Sequence, residues 1–482
     1  VSILVIDIGS SSLRAALVDD TGAVHAMHRR PIKTASPAPG FVQLDPLALA
    51  SDVRDCVLEV LAEGARAETD PPVAIGITTQ RATAVVWDRH TGEPVGPAIG
   101  WQDLRTVPLC LGLRAQGIEL APNESATKFA LLADLSGRAR SDLAVGTLDS
   151  WVAWTLSDGR LHVTDLSEAG TSGLLRSDGS GWNPDVLDAL RLEEGMLPQI
   201  VDSSGIVGEA SALPGGLPIA AIVGDQQASL IGQSCLRAGL AKATFGTGGM
   251  LDQNIGHTRA SFPRRGPAGT FPIAAWRREG RVVWGVEAIL LSAGSAIDWL
   301  WRDLGLAPTP AALDELAESA HHHLWFVPDL AGMGAPVWDF GARGALVGLD
   351  TDTTAADIAR AALEGVAERG ADLLDAAESD TGLAIDHLRV DGGLTQSQVF
   401  LQALADACQR PVEVSPVVEA TTLGAAYLAG LAIGVWPDED SLVALWRPTR
   451  VVEPGPPTDR ELWRQVRTLA ERSVPELSSL PF

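Results

Sequence analysis

Three short segments constrain this chain more than anything else in it. VIDIGSSSLR (5–14), ATFGTGG (243–249) and RVDGGLTQS (389–397) each read as an apolar strand, an acid or hydroxyl, glycines, and then another element. Without side chains, glycines let backbone N–H groups approach an anion closely, and a following hydroxyl adds a donor. A tight turn between strands explains any one of them. Three in one chain, two of them opening successive halves, point to a phosphate-bearing ligand.

The flanking sequence fills in the plan. SILVIDIGSSSLRAALVDDTGAVHAMHRR predicts β-branched strands joined by a Gly/Ser turn, with a second turn at Asp20-Thr21-Gly22. DPLALASDVRDCVLEVLAEGAR predicts a helix with Asp45 as N-cap and Pro46 in the first turn. VAIGITTQ predicts a short buried strand, and ATAVVWDRHTGEPVG a hairpin. The second half repeats this loosely: strand and Gly turn in GLAKATFGTGGMLDQNIG, a strand leading into a long helix in RVVWGVEAILLSAGSAIDWLWRDLG, then strand, Gly turn and helix in IDHLRVDGGLTQSQVFLQALADAC. The element order predicts an α/β fold of mixed sheet, duplicated, with a first domain over 1–235 and a second over 236–482. Pro-rich RPTRVVEPGPPTDRE reads as a connector to a closing helix, DRELWRQVRTLAERS.

Composition excludes several classes of function. With 61 acidic against 36 basic residues, the net charge of −25 repels nucleic acid and anionic membranes. The four cysteines, Cys56, Cys110, Cys235 and Cys408, form no CxxC pair, which fits a reducing compartment better than a disulfide framework or a zinc site. The apolar opening VSILVIDIGS is too short for a membrane span, and no leader pattern follows it, so the expected location is the cytoplasm. His321-His322-His323 stands where a helix ends before a strand, and cations at a helix C-terminus explain it better than a metal site. No GxxxxGK[ST] loop occurs, and GTGGM lacks the third glycine of a dinucleotide loop, which disfavours a dehydrogenase. The only lysines are Lys33, Lys128 and Lys242. Phosphate binding is therefore expected to use backbone amides, hydroxyls, Arg and a metal.

The segment LPIAAIVGDQQASLIG (217–232) runs as a buried strand straight into Asp225-Gln226-Gln227. A strand end is a rigid place from which to project a carboxylate, and amides beside it hold hydroxyls without competing for a proton. An N-cap on the following helix is the plainer reading of Asp225, but it leaves the two amides unexplained. Asp7, inside ILVIDIG, would be expensive to bury without a cation or donors.

Longer motifs carry a family resemblance. GDQQASLIGQ, TTQRATAVVWD, GWQDLRT, GTLDSWVAWTLSDGRLHVTD, GMGAPVWDFGARGALVGL and GALVGLDTDTTAADIARAALE occur in the order found in the FGGY family of carbohydrate kinases. The chain resembles that family from residue 3 to about residue 472, and within it most resembles the glycerol kinases. The resemblance implies an α/β architecture of two ribonuclease-H-like, actin-like ATPase domains, with ATP and a sugar or polyol in the cleft between them. It implies Asp225 as the base that takes the proton from the substrate hydroxyl. Arg81, Trp101 and Gln226 would line the substrate pocket. Asp7, Ser10, Ser11 and Arg14 would face the transferred phosphate, with Asp7 and Asp225 serving Mg2+. Thr247 and Gly248 would touch phosphates from the second domain, with Gly294 and Gly393 bordering the adenosine. Relatives that form homodimers or homotetramers suggest the same here by analogy alone.

The pattern also departs from the family. Glycerol kinases carry Glu where this chain has Ala82, and Tyr where it has Asn123, so two groups lining the substrate pocket have changed. On the nucleotide side, Asp298 replaces a usual Gln and Ser397 a usual Asn. Losing a carboxylate partner to a substrate hydroxyl costs on the order of 1.5–3 kcal/mol. The expected activity is ATP-dependent phosphorylation of a hydroxyl of a small polyol or sugar; the alternative is that glycerol itself is not the substrate and a longer polyol, a ketose or a sugar acid is used. A second class, a nucleotide-driven binding or filament protein on the same architecture, would have no use for Arg81, Trp101 and Gln226 together.

Overall fold

The computed structural model describes residues 1–417 and 419–479. Its backbone is organised around one thirteen-stranded sheet. In chain order the strands are β1 (Ser2–Ile8), β2 (Ser12–Asp19), β3 (Val24–Pro31), β4 (Pro72–Thr79), β5 (Ser204–Ala210), β6 (Leu217–Gly224) and β7 (Ala241–Phe245). They continue with β8 (Gly249–Gly256), β9 (Phe271–Arg278), β10 (Arg281–Leu290), β11 (Leu388–Asp391), β12 (Val412–Val414) and β13 (Arg450–Val452). Across the sheet the order is β13-β12-β11-β7-β8-β10-β9-β5-β6-β4-β1-β2-β3.

One five-strand plan occurs twice within that order. In the first half β1, β2 and β3 form an antiparallel meander, and β4 and β6 add parallel to β1. In the second, β7, β8 and β10 form the meander, and β11 and β12 add parallel to β7. The two sets meet where β5 and β9 pair at a single position, Ser204 with Arg278. The central parallel strands β1, β4 and β6 are buried almost throughout, as strands covered on both faces must be.

Helix α1 (Pro46–Arg66) starts as its sequence demands, with the Asp45 side chain accepting from the N–H groups of Leu47 and Ala48. Leu49, Val53, Cys56, Val57 and Val60 form its buried stripe. Helix α2 (Asp225–Gly232) follows β6 without a break. Helix α3 (Ala355–Thr381) opens on a capping box between Thr354 and Asp357. Asp357 Oδ1 also accepts from the backbone N–H groups of His321 and His322, which fixes the histidine triplet between the helix Pro310–Glu318 and the strand Trp325–Val327. Helix α4 (Gln398–Cys408) precedes β12, and α5 (Ala420–Ile433) follows it.

Although α5 comes late in the chain, it lies on the sheet of the first half, against β1, β4, β6 and α2. Its approach to α2 is close enough to require glycine on both sides: a Cβ on Gly424 would sit 1.8 Å from Ala228 O, and one on Gly232 1.9 Å from Ala420 O.

Three expectations need revision. The stretch after β10 is a five-residue helix, Gly294–Asp298, running into a π-helical turn, Trp299–Asp303, rather than one long helix. The segment Val85–Asp88 pairs with Leu143–Gly146 rather than only folding back on itself. The Pro-rich connector contains β13, which pairs antiparallel with β12 and covers the sheet edge. Among the described residues, no helix is long and apolar enough to cross a membrane.

Candidate active site

The carboxyl ends of β1, β4 and β6 lie side by side, because Thr79 is register partner to both Ile8 and Gly224. Ligands in open α/β sheets collect at such an edge. Three groups named from the sequence converge there. Asp7 is the penultimate residue of β1, Arg81 follows β4, and Asp225 follows β6.

Asp225 is not an N-cap. Helix α2 begins at Asp225 itself, and the cap residue, Gly224, has no side chain to offer. The carboxylate instead accepts from the adjacent Gln226 N–H at 2.8 Å and stays partly exposed at 22%. Arg81 Nε stands 3.8 Å from its Oδ1. Burial raises the Asp225 pKa, against the pull of Arg81 and Lys242. The environment thus makes Asp225 more basic while keeping it within reach of a ligand, the balance a general base requires.

Arg81 bridges the two halves. Its Nη2 donates to Glu287 Oε2 at 2.7 Å, and Glu287 lies on β10 of the second half. Its Nη1 is buried and has no hydrogen-bond partner among the described residues. A buried donor without an acceptor costs about 1–3 kcal/mol unless a ligand completes it. Lys242, on β7, is fully buried and donates to Gln226 Oε1 at 2.8 Å and to Thr244 Oγ1 at 3.1 Å, with Asp252 Oδ2 at 2.8 Å. Burial pushes the Asp252 carboxyl up and Lys242 pulls it back. Lys242, Asp252 and Glu287 form one row across the sheet, since Asp252 is register partner to the other two.

Asp7 is 1% exposed, with Arg14 Nη1 at 3.2 Å and Thr422 Oγ1 donating at 3.0 Å. Burial nonetheless pushes its pKa up to about 6. The folded value lies above the ordinary Asp value of about 3.9, so the fold favours the protonated form. Asp7 therefore lowers stability progressively as pH rises from about 4 to about 6. A chain that keeps an ionised group against such a penalty has a use for the charge. Asp225 adds to the penalty on the Asp7 charge, and a divalent cation held by these carboxylates would relieve it; Mg2+ is typically bound by one or two carboxylates together with substrate phosphates.

The remaining named residues fall into two groups. Trp101 Nε1 donates to Ser10 Oγ at 3.1 Å, which places Trp101 against the exposed Ser10-Ser11 turn. Thr247 and Gly294 come together: Thr247 O accepts from Ala293 N and Ser295 N, each at 3.0 Å, and a Cβ on Gly294 would strike Gly246 O at 2.5 Å. Gly248 faces Leu290 O as closely, 2.7 Å from where its Cβ would be. Gly393 opens into free space, with nothing within 4 Å of a Cβ. By contrast, Asp298 accepts from Trp301 Nε1 at 2.9 Å, and Ser397 caps α4 while donating to Asp314, so both side chains have local partners.

Lys128 links the two positions where substrate groups have changed. Its Nζ lies 3.4 Å from Ala82 O and 3.3 Å from Asn123 O, and burial brings its pKa down to about 7. Ala82 is buried at φ +60°, whereas the Asn123 side chain is exposed. Sequence reasoning missed Lys242, Glu287 and Lys128. The available signal was the one applied to Asp7, a charge set inside an apolar strand or helix.

Comparison with known proteins identifies the family. The model of the FGGY family of carbohydrate kinases, N-terminal domain, matches residues 2–232, and that of its C-terminal domain matches residues 241–433. The chain belongs to the FGGY family of carbohydrate kinases. Such an enzyme is a phosphotransferase with an alcohol group as acceptor. Within the family it is similar to the glycerol kinase of Dechloromonas aromatica, at 39% identity over 98% of this chain and 97% of that protein. The glycerol kinase of Plasmodium falciparum, solved with ADP, superposes at a TM-score of 0.88 and 26% identity, over 100% of this chain and 99% of that one. The xylulose kinase of Rhodospirillum rubrum superposes at 0.82 over 97% of both chains; at 24% identity it shows the shared fold alone. That fold is the pair of actin-like ATPase domains of FGGY kinases.

Proposed function

We propose that this FGGY kinase uses ATP to phosphorylate one hydroxyl of a small polyol or sugar, in the cytoplasm, with Asp225 as the base. One observation carries the reading. A carboxylate made more basic by burial stands partly exposed at a strand end, beside an arginine whose buried Nη1 has no hydrogen-bond partner among the described residues. Asp225 takes the proton as the hydroxyl oxygen attacks the terminal phosphorus. Arg81 Nη1 and the Gln226 amide donate to neighbouring oxygens of the substrate, and Trp101 closes one side of the pocket. Arg14, Ser10 and Ser11 face the phosphoryl group from the first domain (1–235). Thr247 and Gly248 face the phosphates from the second (236–482), where Gly294, Asp298, Gly393 and Ser397 border the adenosine. Mg2+ held by Asp7 and Asp225 would neutralise charge on the phosphoryl oxygens. The four buried, unpaired cysteines suit a reducing compartment.

Ala82 stands where glycerol kinases carry Glu and offers a substrate hydroxyl no acceptor side chain, and this supports a longer polyol, a ketose or a sugar acid over glycerol. Phosphorylation measured across glycerol, erythritol, pentitols, ketoses and gluconate tests the reading. Efficient use of glycerol with no turnover of the larger compounds would reject the choice of substrate. ATP turnover indifferent to every acceptor would instead favour a nucleotide-driven binding protein.

Two further results are expected. The rate should fall on the acid side as Asp225 takes up its proton, with a midpoint above the ordinary Asp range because burial raises its pKa. Arg81 opposes that rise, so Arg81→Gln should move the acid limb of kcat/KM to still higher pH. Gly393→Ala should hold or slightly raise the melting temperature, since its Cβ meets no atom within 4 Å among the described residues. If adenosine lies there, the same variant raises KM for ATP several-fold without touching KM for the alcohol; titrating both substrates checks this.

A further inference from the structure

Arg81 and Gln226 both come from the first half of the chain, yet each takes its shortest side-chain contact from the second. Arg81 Nη2 meets Glu287 Oε2 at 2.7 Å, and Gln226 Oε1 meets Lys242 Nζ at 2.8 Å. Glu287 and Lys242 stand on β10 and β7, with Asp252 of β8 as register partner to both. The geometry of each contact decides which atoms remain. Lys242 donates to Gln226 Oε1 and Thr244 Oγ1, and its charge is paired with Asp252 Oδ2 at 2.8 Å. Because Lys242 can only donate, it engages the Gln226 amide oxygen and leaves the NH2 end to face elsewhere. Glu287 occupies Nη2 of Arg81 and leaves Nη1 as the unpartnered donor.

We propose that Glu287 and Lys242 are positioning residues, which fix the donor ends of Arg81 and Gln226 from across the cleft. The alcohol site is then complete only while the sheet of the second half is docked against the first. This rests on the reading that Arg81 and Gln226 hold the alcohol. A purely structural ion pair is the competing explanation. Buried pairs contribute little net stability compared with apolar residues of similar volume, so stability alone gives weak reason to place three charges in one sheet row.

The test is a mutant cycle read in steady-state kinetics with the acceptor found in the screen. Glu287→Gln is expected to raise KM for the alcohol about tenfold, the scale of one hydrogen bond to a charged group, while KM for ATP stays put. Glu287→Asp, which keeps the charge but withdraws it by one methylene, should fall between; it carries the test if the Gln variant does not fold. The double variant with Arg81→Gln should be no worse than Arg81→Gln alone, because Glu287 acts through Arg81. Lys242→Gln and Gln226→Ala should show the same non-additivity. Penalties that add in full, or KM values for both substrates rising together, would overturn the positioning role. If Arg81→Gln itself left the alcohol KM unchanged, the assignment of Arg81 to the substrate would fail instead.

Discussion

Asp225→Asn should fold as the wild type does and lose about 10²–10⁴ of its turnover. The amide has the shape of the carboxylate and its oxygen can still accept from the Gln226 N–H, so the start of α2 needs no adjustment. What disappears is the ability to take a proton from the attacking hydroxyl. Burial already raises the Asp225 pKa, which means the fold disfavours its charge, and a neutral amide relieves that penalty at neutral pH. Arg81 keeps Glu287 as its counter-charge. The expected signature is therefore a large fall in kcat, a smaller change in KM for the alcohol, and a melting temperature equal to or above that of the wild type. Steady-state rates alongside thermal melts measure all three. Turnover within a few-fold of normal would remove Asp225 from its role, and a variant that melts much lower would make Asp225 a structural residue.

The parts of this protein that were legible in its sequence are those written in local pattern. The strand and Gly turn at 5–14, the Asp45 cap and the run into Asp225 depend on neighbours along the chain, and each appears where the pattern places it. The duplicated plan could be read for the same reason, as an order of elements. What the sequence hid depends on partners hundreds of residues apart. Arg81 and Glu287 are 206 residues apart, and Asp7 and Thr422 are 415 apart. The π-helical turn after β10 was hidden too: Gly294 must sit against Gly246 O, and that packing is invisible in the local pattern. A missing GxxxxGK[ST] loop says nothing of Lys242, a strand lysine whose ammonium donates to the Gln226 amide oxygen.

The largest stability effect is expected from a substitution that local rules would favour. Replacing Gly by Ala inside a helix normally stabilises it by about 1 kcal/mol. Gly424→Ala should do the reverse, because its methyl would lie 1.8 Å from Ala228 O and 2.9 Å from Gly232 N, both backbone atoms of α2. Neither can rotate away as a side-chain tip would, so α5 and α2 must separate, at about 3 kcal/mol or more. Since α2 begins at Asp225, the shift also displaces the base, and a misplacement of about 1 Å can lower a rate on the order of 10²-fold. Gly424→Ala should thus lower the melting temperature and kcat together. Gly112→Ala is the control: Gly112 is exposed within the helix Val107–Arg114, with nothing within 4 Å of its Cβ, so it should follow the propensity rule and raise stability by about 0.5–1 kcal/mol. Denaturant melts of both variants with kcat measured in parallel decide the matter. If Gly424→Ala matched Gly112→Ala in sign, the close packing of α5 on α2 could not be what holds Asp225 at the cleft.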